Sequence, residues 1–251
     1  MTVFDFLAAL DLPDAALVDR RVPKTLFIEH GAPTAADKRR ITEGIEQVQW
    51  VAALKPTTVG VAAYRDEVRE YLEIAVLHLV LRATAKLGRL VELLHRAVPY
   101  PVVAVAEQGG RIQLSLVHKR WSQGEAGKTV LDGDVVAVDL TEVDEPLRAA
   151  FLRALSLARQ PRGTLFALYQ GWIDTLLALH AACRTNAFTI PDTDDAKAAR
   201  RKALEECERL EAAISRLRSV ATKEKQMARQ VELNQELKRL QAQYAIALNN
   251  L

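Results

Sequence analysis

KLGRLVELLHRAVPYPVVAVAEQGGRIQLSLV, residues 86–117, holds a helix, a strand, a tight turn and a second strand in one short stretch. Leu87, Leu90, Val91, Leu94 and Ala97 recur at spacings of three and four, the apolar stripe of an amphipathic helix. Pro99 ends that pattern, because proline lacks the N–H a helix needs. From Pro101 to Ala106 the residues are apolar and largely β-branched, which predicts a strand. Gly109-Gly110 supplies the positive backbone angles of a hairpin turn, and residues 111–117 return as its partner. A helix that feeds a strand which then folds back requires a sheet with helices laid on it.

Upstream, Thr2 is placed to cap a short helix that ends before Pro13. Residues 24–29 (KTLFIE), between Pro23 and Gly31, read as a strand. Thr34 then opens a helix whose apolar positions Ile41, Ile45, Val48, Val51 and Ala52 carry it to Pro56. Residues 57–63 (TTVGVAA) read as a strand and Tyr64-Arg65-Asp66 as a turn. The run EYLEIAVLHLVL, residues 70–81, fits helix or strand, and its β-branched content favours a long strand. Residues 130–140 add one more strand, or two broken at Asp132-Gly133. The order is β-α-β-β-α-β followed by further strands. The expected class is α+β, a mixed or antiparallel sheet in the split arrangement, followed by a helical half and a long coiled-coil-like helix or helical hairpin.

The helical half begins at Pro146. One helix covers residues 147–158, and a second, apolar on most faces, covers residues 164–184. A polar linker, residues 185–195, leads to the tail. The expected organisation is an α+β domain over residues 1–145, a helical segment over 146–190 and a helical tail over 191–251.

Residues 192–251 contain neither Gly nor Pro and are rich in Leu, Glu, Lys, Arg and Gln. Cys207, Leu210, Ile214, Leu217 and Ala221 form one heptad seam. Leu233, Leu237, Leu240, Tyr244, Ala247 and Leu251 form another, one residue out of phase. The charged stretch 222–230 separates them. One long helix with a phase break and an antiparallel hairpin both fit, and the absence of breakers tilts the reading toward one helix. Residues Leu210, Ile214, Leu217, Leu233, Leu237, Leu240 and Tyr244 are the expected seam for a partner helix or for a second copy of the chain.

A net charge of +2 conceals an asymmetry. Residues 196–251 hold twelve Lys/Arg against seven Asp/Glu, so the basic excess sits on the tail. That excess falls well short of a dedicated DNA-binding domain and equally describes a solvated helix face. Cys183 and Cys207 lack metal-ligand spacing, so a reducing compartment, the cytoplasm, is expected. No apolar run approaches the roughly eighteen residues a membrane span needs.

The motifs that carry chemistry are incomplete. SQGEAGKT, residues 122–129, places Ser122 where a P-loop needs Gly, and the residues after it read as strand and not helix, so a surface loop is expected. His30, His78, His95 and His118 show no metal-ligand spacing. No metal and no cofactor is expected. Lys119-Arg120-Trp121 at a strand end is a basic and aromatic cluster that can meet phosphate or a base, though such clusters are ordinary surface too. Glu73, with Asp66 or Glu107, is the alternative: a divergent metal-dependent nuclease. The Glu-x-Lys such an enzyme uses occurs only at Glu236-Leu237-Lys238, in the tail.

Several blocks together resemble an uncharacterised bacterial family, the domain-of-unknown-function family DUF4391. They are Val22-Pro23-Lys24, WVAALKPTTVGV (50–61), EIAVLHLVLR (73–82), LLHRAVPYP (93–101), LSLVHKR (114–120) and VELNQELKRL (231–240). The resemblance implies a setting among genes for restriction–modification-like methyltransferases, helicases and other phage-defence components. It carries no catalytic residues.

The expected function is therefore a non-enzymatic accessory or scaffold subunit of a bacterial DNA-defence complex. It acts by protein–protein contact, with helicase or methyltransferase subunits as the expected partners, and with DNA contact as a lesser expectation. Lys24, Tyr100, Lys119, Arg120 and Trp121 are the candidate binding residues. A structural homodimer is the other alternative.

Overall fold

A computed structural model describes residues 2–251. The chain divides into two compact units, one ending at Leu176 and one covering Leu177–Leu251.

In the first unit, helix α1 (Val3–Ala9) starts at Thr2, whose hydroxyl accepts from the Asp5 N–H while the Asp5 carboxylate accepts from the Thr2 N–H. A 3₁₀ turn leads to strand β1 (Leu17–Arg21). Helices α2 (Lys24–Gly31) and α3 (Ala35–Gly44) follow, then β2 (Ile45–Leu54), the one-turn helix α4 (Pro56–Val59), and a small hairpin of β3 (Tyr64–Arg65) and β4 (Glu70–Tyr71). Next come β5 (Ile74–Leu81), α5 (Leu87–Ala97), β6 (Val102–Gln108), β7 (Arg111–Trp121) and β8 (Thr129–Asp139). Helices α6 (Glu145–Ala154) and α7 (Leu165–Thr185) complete this part, and α7 continues into the second unit.

Six strands form one sheet in the order β1-β2-β5-β6-β7-β8, and β3 pairs only with β4. Every neighbour in the large sheet is antiparallel except β5 and β6, whose parallel pairing requires a crossover, here α5. The fold is α+β with a mixed sheet, as the sequence predicts. Alternate residues of the central strands set the core: Ala75, Leu77, Leu79 and Leu81 of β5 join Val102, Ala104 and Ala106 of β6 against Leu90, Val91 and Leu94 of α5. The opposite set, Ile74, Val76, Val103 and Val105, is equally buried, so both faces of the sheet are covered.

Three sequence expectations are corrected. Residues 24–29 are helical, not extended. Pro23 fixes the backbone just before the first turn, and Phe27 and Gly31, four apart, are the buried positions of α2. The helix opened by Thr34 stops at Gly44, and residues 45–54 are strand. The spacing of Ile45, Val48 and Ala52 mimics a helix because β2 carries irregularities between Ile45 and Gln47 and between Trp50 and Ala52; each turns a period of two into three, from Ile45 to Val48 and from Trp50 to Ala53, while Ala52 is buried on the other face, opposite Val76. Residues 57–63 are not a strand either, since Pro56 starts a single helical turn that Gly60, at φ 65°, ends in the left-handed conformation.

The long apolar stretch at 70–81 divides into β4 and β5. Residues 129–139 form one strand, with Gly133 at φ 88° where the register to β7 shifts. Ser122 to Lys128 is the expected surface loop and runs into strand β8, which rules out a P-loop's helix. Asp37, buried at the start of α3, accepts from both Arg89 of α5 and Arg40, at 2.8 to 3.1 Å, and so ties α3 to α5.

In the second unit the tail is two helices, α8 (Asp194–Lys223) and α9 (Met227–Leu248). The expectation of a single helix fails at residues 224–226. There the Glu224 carboxylate accepts from the N–H groups of Lys225 and Gln226 at 2.8 and 2.9 Å, a side-chain-built turn that needs no Gly or Pro. The helices run antiparallel: Tyr244 donates to Glu211 at 2.6 Å, Arg200 donates to the Leu251 carbonyl at 3.0 Å, and Cys207 and Leu210 pack with Ala247. Arg184, in the last turn of α7, donates to both Glu211 oxygens. Among the described residues, no helix is long and apolar enough to cross a membrane.

Candidate functional site

Helix α5 ends at Ala97, and the chain turns through Val98-Pro99-Tyr100-Pro101 into β6. Two prolines remove two donors from this loop, so its carbonyls must find partners elsewhere. The Lys119 ammonium donates to the carbonyls of His95 and Val98, the Thr129 hydroxyl donates to Pro99 at 2.8 Å, and the Ala75 N–H donates to Pro101 at 3.0 Å. A cation at the end of a helix also meets the negative end of its dipole. The loop is therefore fixed from three strands at once.

This loop walls an apolar cavity of about 300 Å³. Pro23, Leu26 and Phe27 of α2 and its approach form the facing wall, with Trp50 of β2 and Leu77 of β5 lining the space between them. The Trp50 indole N–H donates to the Ala52 carbonyl at 2.9 Å, which leaves its ring carbons for the cavity. Arg20, at the end of β1 and paired with Trp50 of β2, brings positive charge to this face, and Arg21 and His30 border the same space. Among the described residues, no carboxylate lines the cavity. Neither arginine has an ion-pair partner among the described residues. Tyr100, half-buried in the wall, has its phenol pushed upward by burial and then by the Glu73 carboxylate.

Of the sequence-predicted residues, Tyr100 lines this cavity and Lys119 supports it from beneath. Lys119 is only 2% exposed, so it is not available to a nucleic acid; burial pulls its ammonium down to about 7. Beside it, burial and the Lys119 charge lower the His95 imidazole to about 3. His95 is neutral, accepts or donates at Ser115 Oγ over 3.0 Å, and keeps its Nδ1 without a hydrogen bond among the described residues. Lys24 donates to the Ile45 carbonyl at 2.9 Å and the Thr42 carbonyl at 3.4 Å, which closes the end of α3. Arg120 lies 3.6 Å from Asp132 and donates to the Trp121 carbonyl, while the Trp121 N–H donates to Val68. The structure thus joins Tyr100 with Lys119 and leaves Lys24, Arg120 and Trp121 in separate contacts. Arg20, Arg21, Leu26 and Trp50 were missed. Their signal was faint: an Arg-Arg pair directly before Val22-Pro23-Lys24.

The carboxylates of the nuclease alternative stand apart. Glu73 pairs with Lys55 at 3.0 Å, Asp66 accepts from the N–H groups of Val68 and Arg69, and Glu107 meets His78 at 3.2 Å. Among the described residues, no group of three His, Cys, Asp or Glu side chains is arranged to hold a metal ion. His118 is held between the Tyr71 hydroxyl, at 2.5 Å, and Gln170, at 2.8 Å, among the rings of Phe166 and Tyr169.

The seam of the tail is turned inward. Leu210, Ile214, Leu233 and Leu237 are buried within the second unit, and Leu217, Leu240 and Tyr244 are half-buried. The apolar residues left exposed on the hairpin near its turn are Val220, Met227 and Val231.

The sheet, the fixed loop and all but the last residues of the hairpin lie within a span, residues 10–243, that matches the family described as "Domain of unknown function (DUF4391)". The chain belongs to the DUF4391 family. No curated protein and no solved structure matches it. In this DUF4391 protein, three of the blocks that carry the resemblance meet at one place: Val22-Pro23-Lys24 on one wall, LLHRAVPYP on the other, and LSLVHKR supplying the lysine beneath.

Proposed function

We propose that this DUF4391 protein is a non-enzymatic accessory subunit of a cytoplasmic bacterial DNA-defence complex, and that it docks on a partner protein such as a helicase or methyltransferase subunit. The observation that carries the reading is the cavity beside Tyr100, preformed and apolar, with unpaired cations at its mouth and its wall pinned from three strands. Rigid concave sites of this kind bind without the cost of ordering a loop. The docking role moves from the tail seam, which the hairpin consumes, to this cavity. Contact with DNA, where the complex makes it, falls to exposed basic residues and not to Lys119.

The test uses the tagged full chain in its native host, comparing wild type with Leu26→Glu. Leu26 is 44% exposed, so this change introduces a carboxylate at the cavity without emptying the core. One partner recovered in constant ratio with wild type and lost with the folded variant supports the reading. Cleavage of DNA by the purified chain in Mg²⁺ or Mn²⁺, abolished by Glu73→Ala, overturns it in favour of the nuclease.

A further inference from the structure

Strand β1 is an edge of the large sheet. The Val22 N–H donates to the Val48 carbonyl, and in an antiparallel ladder consecutive residues alternate direction, so the backbone groups of Arg21 face away from β2. That free edge ends at the mouth of the cavity. The nearest carboxylate on the strand, Asp19, is already taken by the Gln49 amide at 2.7 Å. One place therefore offers an unpaired strand edge, the Arg20 guanidinium without a carboxylate, and an apolar space suited to one large side chain.

We propose that the cavity receives the C-terminal residue of a partner protein. Its apolar side chain, of the size of Leu or Phe, fills the space between Leu26, Trp50 and Tyr100. Its α-carboxylate meets Arg20, whose side chain shares a face with Trp50, and its preceding residues extend along β1. Each element answers a different part of a chain terminus: strand addition supplies the main-chain bonds, the cavity the side-chain choice, and the guanidinium fork the carboxylate. The arrangement points to a free terminus over an internal segment, because a single C-terminal residue brings both the apolar side chain and the carboxylate, which an internal segment supplies only from two different residues. The assignment rests on the docking reading above and specifies it.

The test is calorimetric titration of the full chain with three probes: the peptide acetyl-Gly-Ser-Ala-Phe as the free acid, the same peptide as its C-terminal amide, and 3-phenylpropionate. The free acid is expected to bind with a Kd under about 1 mM, and the amide at least about tenfold more weakly. Arg20→Ala, at an exposed position, is expected to bring the acid down to the level of the amide; Leu26→Glu is expected to abolish binding of either. Equal affinity for acid and amide overturns the proposal, as does 3-phenylpropionate binding as tightly as the peptide acid, which assigns the site to a free small anion. Absence of binding by the peptide acid, and by its counterpart ending in Leu titrated in the same way, also overturns it. If partner capture nevertheless depends on Leu26, the docking reading survives that result and only the terminus assignment falls.

Discussion

The Lys119 ammonium donates to the Val98 carbonyl, so a buried strand residue carries the last turn of α5 and the loop that follows it. Among the described residues Lys119 has no carboxylate partner, and burial lowers it from 10.5 to about 7. Its charged form is disfavoured in the fold, so the unfolded chain holds more protons between about pH 7 and 10.5 and stability rises through that window. Urea midpoints at pH 6.5 and 9 should show wild type gaining on the order of 2 kcal/mol relative to Lys119→Met. A parallel pH profile in the two proteins contradicts the buried placement.

His95 gives the acid side. Its imidazole falls from 6.5 to about 3, because burial and then the neighbouring Lys119 charge oppose protonation. The depressed group contributes stability above pH 6.5 and loses it as pH falls toward 3. His95→Gln keeps a hydrogen bond to Ser115 within reach and removes the titration. Wild type should therefore lose more stability than this variant between pH 7 and pH 4, read from denaturant midpoints.

Gly31 allows α2 to approach α5. A Cβ placed there stands 2.6 Å from the Ala97 Cβ and 2.7 Å from the Leu93 carbonyl oxygen. Both neighbours sit in a helix, so Gly31→Ala must part the two helices at a cost of about 2 kcal/mol. The same displacement widens the cavity, because α2 and Ala97 lie on opposite walls. Chemical denaturation measures the first effect. Quenching of Trp50 fluorescence by acrylamide, in a background with Trp121 and Trp172 replaced by Phe, measures the second and should increase.

The turn at residues 224–226 joins two helices and does not continue one. Inserting Gly-Gly-Ser after Lys225 should leave the helical circular-dichroism signal intact and cost under about 1 kcal/mol, since lengthening a connection is cheap. A continuous helix would lose several turns of signal. Leu210→Ala or Leu237→Ala, each removing a buried seam residue, should destabilise the hairpin by about 2 to 3 kcal/mol.

The legible elements were those whose local pattern agreed with their place in the fold. The stripe from Leu87 to Ala97, the turn at Gly109-Gly110 and the cap at Thr2 each carry their geometry in neighbouring residues. Strand β2 was illegible because its irregularities imitate a helical period. Helix α2 was illegible because eight residues are too few for a period to show. The tail turn hid because a carboxylate, and not a glycine, makes it. At the site, Tyr100 was found through the proline-flanked loop it occupies. Lys119 was found for the wrong chemistry: a Lys-Arg pair at a strand end gives no sign of which member points inward. Arg20 and Trp50 come together only through pairing across β1 and β2.

The turn at Glu224 also sets a length. At about 1.5 Å per residue, one unbroken rod of sixty residues would reach roughly 90 Å; folded at residues 224–226, the same chain reaches about half that. It also returns Leu251 to the side of Arg200, near where it set out. A tail that sequence alone casts as a long arm is a short post. Whatever its tip touches, with Val220, Met227 and Val231 open to solvent, must lie within about 45 Å of the post's own base.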